Sequence, residues 1–156
     1  MKALILTADA FEEAELLVPY YRLREEGIPV DVAAPRSGRL RGEHGYPFQA
    51  DKAFAEIGSL GHDLLIVPGG RAAEALAEDR AAVKIATWFV EEKHTAAAIC
   101  HGPLVFVATG LMEEREMTGH PSCAPRACAT STRRLRPTAM SSPRAGPRTC
   151  RPSCAS

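Results

Sequence analysis

The chain of 156 residues is 46% apolar and 24% charged, with 19 acidic and 19 basic residues and no formal net charge. That composition fits one soluble globular domain and excludes a disordered or collagen-like chain. No stretch approaches the ~20 apolar residues of a membrane span and the start has no leader-like cleavage site, so the expected compartment is the cytoplasm, without membrane partners.

The first element is an apolar run over Lys2 to Thr7, read as a strand, with a turn at Ala8 to Ala10 leading into a helical pattern from Phe11. The pattern continues to Glu26 and is closed by Gly27, while Pro19 within it predicts a break or a fresh first turn. Ile28 to Ala34 reads as a second strand and Ser37 to Ala50 as a hairpin excursion. Asp63 to Val67 is a buried strand ending in Pro68-Gly69-Gly70. Asp79 caps a helix whose apolar face is Ala82, Val83, Ala86, Phe89 and Val90. Thr95 to Ile99 is a further strand, running into Cys100-His101-Gly102-Pro103 and a helix through Ala108 that Gly110 closes. Strands alternating with helices predict an α/β fold with a central, mostly parallel sheet covered on both faces. In such sheets, sites lie at the carboxyl ends of the strands. Three turns qualify: residues 9–12, 68–74 and 99–103.

The totals change when the chain is divided at Ser122. Residues 1–122 hold every acid and 12 of the 19 basic residues, a balance of −7, and are expected to form the domain. Residues 123–156 hold seven Arg, five Pro, four Cys and a single Leu, Leu135, with no acid, Lys, Val, Ile, Phe, Tyr or Trp. A segment so poor in core residues supplies no strand or helix that could pack. It lacks the aromatic residues of a single-stranded nucleic-acid arm, and Cys123, Cys128, Cys150 and Cys154 lack the paired spacing of a zinc site. A third origin is a coding sequence read out of frame. Back-translating Ser131 to Ala155 with free wobble bases and reading one nucleotide earlier permits VDEAVAADGNVVSSRGPADLPAFMR, which contains a strand-like run, an Asp-Gly-Asn turn and a helix start. A frameshift near or just after Ser122 is therefore expected, leaving the tail without structure and the domain without its last elements.

Cys100 stands between a buried strand and a helix with Gly102 close behind, the layout of a nucleophile elbow. The helix-end potential favours the thiolate, the reactive form of the group. A buried structural Cys is the plainer alternative. His101 can accept and return a proton near neutrality. Gly69 and Gly70 allow backbone amides to approach a reacting oxygen, although glycines after a strand also serve simply as turn residues. Glu74 is a candidate to orient the imidazole or else a solvated helix carboxylate. Glu12 is a candidate to share a proton with the Cys100 sulfur or else an acid complementing the helix dipole.

The stretches FEEAELLVPYYRLREEG, RGEHGY, DLLIVPGGRAAE, AAICHGP and MTGHPS resemble the PfpI (ThiJ) family of the class I glutamine amidotransferase-like superfamily, from Met1 to about Ser122. The resemblance implies a flavodoxin-like three-layer sandwich assembled as a homo-oligomer, a dimer or hexamer, with no metal or organic cofactor and no nucleic-acid partner. It implies an intracellular cysteine peptidase, with a cofactor-free glyoxalase or protein deglycase acting on small aldehydes as the alternative. A redox-sensing stress protein using the same thiol, or an inactive truncated product, stands behind these. By position, Cys100 is the implied nucleophile, His101 its partner, and Glu74 the third member, supplied from a neighbouring subunit. Glu12 matches the acid beside the thiol, and the amides of Gly70 and His101 match the oxyanion hole. Ala73 replaces a common Pro. His120, a possible pocket residue, stands where peptidase-like members often have Tyr.

Overall fold

The computed structural model describes residues 1–58 and 61–112. The last ten residues of the expected domain, His120 among them, and the tail from Cys123 onward lie outside the described residues.

Among the described residues five strands form one sheet: β1 (Ala3–Leu6), β2 (Val30–Ala34), β5 (Lys52–Ala53), β6 (Leu64–Val67) and β7 (Thr95–Ala98), in the order β5-β2-β1-β6-β7. Every pairing in it is parallel, with Ile5 opposite Val32 on one side and Ile66 on the other. The four residues of β1 and the last three of β6 are buried, as expected of central strands covered on both faces. The remaining strands, β3 (Gly38–Arg41) and β4 (Pro47–Ala50), pair antiparallel as the expected hairpin.

Among the described residues four α-helices connect this framework: α1 (Glu13–Glu25), α2 (Arg71–Glu78), α3 (Arg80–Glu91) and α4 (Pro103–Ala108). The crossover from β1 to β2 steps one way across the sheet, and that from β6 to β7 steps the other. Right-handed crossovers therefore put α1 on one face and the α2–α3 pair on the opposite face. The order reverses between β1 and β6, so the crevice that this topology opens lies at their carboxyl ends. The core is continuous through the sheet, from Phe11 and Leu16 near α1 to Leu76, Phe89 and Val105 on the other helices.

Pro19 does not break α1, which runs unbroken from Glu13 to Glu25. Proline removes one backbone donor, but buried Leu16 and the half-buried Leu17, Tyr20 and Leu23 tie both halves of the helix to the core. Phe11 lies outside the helix, in an isolated antiparallel bridge with Gly70. The pattern also left α2, the two-residue β5 and the 3-10 turn Phe54–Glu56 unassigned. In α2 the buried Ala72, Ala73 and Leu76 do lie at helical spacing, but the small alanines make that face easy to pass over beside the glycine turn; two residues show no period at all. Asp79 caps α3 as expected, accepting from the amides of Ala81 and Ala82. Gly27 and Gly110, both at φ 72°, close α1 and α4.

Candidate active site

The turn after β7 is built by backbone contacts with β6. The Ile99 amide donates to the Val67 carbonyl at 3.0 Å, and the Gly102 amide turns back to donate to the Ile99 carbonyl at 2.7 Å. Between them Cys100 is held at φ 53°, a left-handed conformation that costs a non-glycine residue energy and persists only when its surroundings impose it. Gly102 cannot be replaced without displacement, since a Cβ there would run into the Val67 carbonyl oxygen. Pro103 then starts α4 with φ already set. This is the expected elbow, and it presents a half-buried thiol with Sγ 3.2 Å from Nδ1 of the adjacent His101. The adjacent residues of the turn thus face each other closely enough to exchange a proton.

The second wall is the turn after β6. Gly70, at φ 77°, is the N-cap of α2, and a side chain on it would meet the Glu12 amide at 2.5 Å and the Ala10 carbonyl at 2.8 Å. The Gly69 amide donates to Glu15 Oε2 at 2.6 Å, so it does not point to an oxyanion. A Cβ on Gly69 would lie 2.5 Å from Glu15 Oε2 and 3.0 Å from both Cys100 Cβ and the His101 amide nitrogen. The Glu15 carboxylate and the Cys100 elbow therefore flank the same glycine.

Glu15 is the residue that sequence reading missed. It is half-buried beside the fully buried Leu16, at the inner edge of α1, and nothing in the sequence separates it from Glu12 and Glu13. Glu12, the acid expected beside the thiol, is the N-cap of α1, its Oε2 accepting from the Glu15 amide at 2.9 Å. Glu74 lies exposed in the first turn of α2, and among the described residues no hydrogen bond joins it to His101.

Glu13 serves a third purpose. Its carboxylate accepts from the amides of His44 and Tyr46 at the hairpin tip and pairs with His44 Nδ1 at 2.8 Å. Partial burial opposes ionisation of Glu13, but the hydrogen bonds from the His44 side chain and from backbone amides outweigh it, and its pKa falls to about 2. The hydrogen bond that His44 donates to Glu13, and the charge of Glu13, raise the His44 pKa. Arg71 at the start of α2 pairs with Glu43 of the hairpin at 3.0 Å, closing the rim. Donor atoms of Glu12, Glu13 and His44 lie within 4.8 Å of one another. They sit, however, at the positive end of α1, which disfavours a cation.

Residues 1–133 match the model of the DJ-1/PfpI family. A protein named a deglycase from Pyrococcus abyssi is 43% identical over 121 residues, covering 78% of this chain and 73% of its own length. A putative cysteine protease from Bacillus subtilis is 34% identical over 122 residues, 78% of this chain and 72% of its own. Among solved structures, a two-domain protein from Anabaena variabilis containing DJ-1/ThiJ/PfpI-like and ferritin-like domains superposes with a TM-score of 0.74 at 28% identity. The superposition covers 78% of this chain and 35% of the other.

Proposed function

The chain belongs to the DJ-1/PfpI family, and from that premise we propose that it is a Cys100 thiol enzyme of deglycase type, acting on reactive α-oxoaldehydes and the adducts they form with amines or thiols. The observation that carries this reading is the site one chain assembles unaided: a strained elbow thiol 3.2 Å from an imidazole nitrogen, with a carboxylate on the glycine it flanks. The relatives named deglycases support the same reading.

In this scheme the Cys100 sulfur adds to the aldehyde carbon of an α-oxoaldehyde. A carbon–sulfur bond forms as the carbonyl pair moves to oxygen, which takes a proton and gives a hemithioacetal. His101 handles that proton, and the amides of Gly70 and His101 stabilise the developing charge. The Glu15 carboxylate then carries the hydrogen of the first carbon, as a proton, to the neighbouring carbonyl carbon by way of an enediol. One carbon is oxidised as the other is reduced, so no outside oxidant is consumed. Water displaces sulfur from the resulting thioester, releasing a 2-hydroxy acid and the free thiol.

The second reading is a cysteine peptidase, as the Bacillus subtilis relative's name suggests. It requires Glu74 to reach His101 of a neighbouring copy, because Glu74 is exposed on its own chain. The two are separated by incubating the purified protein with methylglyoxal and, in parallel, with a fluorogenic peptide. Formation of lactate that Cys100→Ala abolishes and Glu74→Gln leaves intact is expected. Peptide cleavage lost in Glu74→Gln, without lactate, would replace this reading by the second.

A further inference from the structure

At the amino ends of the strands, opposite to the carboxyl ends where Cys100 stands, lies a second group of side chains that this chemistry does not use. His62, just ahead of β6, is 8% exposed, and its Nε2 is 2.9 Å from Asp31 Oδ2 at the start of β2. The same Asp31 oxygen receives the Lys2 ammonium at 2.7 Å. Both contacts outweigh the opposing effect of partial burial and hold the Asp31 carboxyl below its usual pKa, so it remains an acceptor. The Asp31 carboxylate accepts from His62 Nε2–H, and the other ring nitrogen, Nδ1, lies outside that contact. Among the described residues Nδ1 has no hydrogen-bond partner.

His62 lines a cavity of about 400 Å³ between the 3-10 turn and α3, within the range of small-ligand sites. Phe54, Ile57, Ile85 and Trp88 form its apolar walls, and Lys84 stands on its rim. The Lys84 side chain is exposed, and its ammonium makes no ion pair among the described residues. The cavity thus offers an apolar slot lined by an accessible imidazole nitrogen and by a lysine. We propose that this cavity binds a small hydroxyaryl carboxylate, with the ring against Trp88 and Ile85, the hydroxyl donating to His62 Nδ1 and the carboxylate on the Lys84 ammonium.

Trp88 is the only tryptophan of the 156 residues, so intrinsic fluorescence reports on this wall alone. Titrating the purified full chain with 4-hydroxyphenylacetate is expected to change Trp88 emission saturably. Phenylacetate, lacking the hydroxyl, should bind about two- to tenfold more weakly, the loss of one net hydrogen bond. Lys84→Gln, an exposed change that leaves the fold alone, should weaken 4-hydroxyphenylacetate about two- to fivefold, as expected for one exposed ion pair. Cys100→Ala should leave all three titrations unchanged, which separates this site from the thiol chemistry. An emission change that does not saturate, or equal affinities for the two acids and for Lys84→Gln, would overturn the assignment.

Discussion

Glu12, Glu13 and Glu15 illustrate how much one position matters within a single helical turn. The first caps its own helix, the second holds the hairpin tip, and the third reaches across to Gly69. Glu15→Gln keeps the shape but removes the charge. It is expected to lower kcat for lactate formation about a hundredfold or more, in line with the loss of a positioned base, with far less effect on KM. Unchanged kcat would return the proton transfer to His101 or Glu12. The Glu13–His44 pair makes a prediction in pH. Glu13 is depressed to about 2, so its contribution is present above the ordinary 4.5 and is lost as pH falls from there through about 2. His44 is raised, so its contribution is complete below the ordinary 6.5 and disappears as pH rises through the higher folded value. An NMR titration of the His44 ring should give a midpoint above 6.5 that Glu13→Gln brings back toward it; a midpoint insensitive to Glu13→Gln would contradict the pairing. None of this division was legible from sequence, because three acids at a helix start all satisfy the same dipole rule and only the fold decides which loop each one meets.

At the scale of elements, the turns carried the most information. Cys100, Gly102 and Pro103 announce the elbow because each residue type answers a different steric demand of one tight turn, and the structure places them as their spacing implied. Gly102→Ala tests that directly. Its new methyl group meets a backbone carbonyl that cannot swing aside, so a cost of at least about 1–3 kcal/mol is expected in urea unfolding, with loss of activity. A variant as stable and active as the parent would show that the elbow yields. Asp79→Ala removes the cap from α3 and should cost about 0.5–2 kcal/mol in the same measurement, leaving kcat unchanged. β5 and the 3-10 turn are too short to show a period, whereas α2 has one in Ala72, Ala73 and Leu76. In α1 the local effect of Pro19 is overridden, because the helix is held from outside by Leu16, Leu17, Tyr20 and Leu23.

Across the whole molecule, the parallel sheet and the position of its crevice were legible because alternating strands and helices leave few topologies open. The missing acid was not, since Glu15 and Gly69 are 54 residues apart in the chain. The out-of-frame reading of residues 123–156 belongs at this scale. Among the described residues β7 is an outer strand of the sheet, and Thr95, Ala96 and Ala97 along it are exposed. A gene with the frame restored after Ser122 is expected to yield protein with a higher and sharper thermal transition and less scattering on heating. Coincident transitions for the two forms would refute the frameshift's structural cost, and the nucleotide sequence over codons 118 to 132 tests its origin. The first turn of α1 carries a last consequence. Because it fastens its own start, the hairpin tip and the turn after β6 with three neighbouring carboxylates, these three loops cannot vary independently. A relative that changes the length of one must re-cut its contact with this helix, so new specificities on this scaffold should arise by coordinated replacement of loop and helix start together, and grafting the hairpin alone should fail.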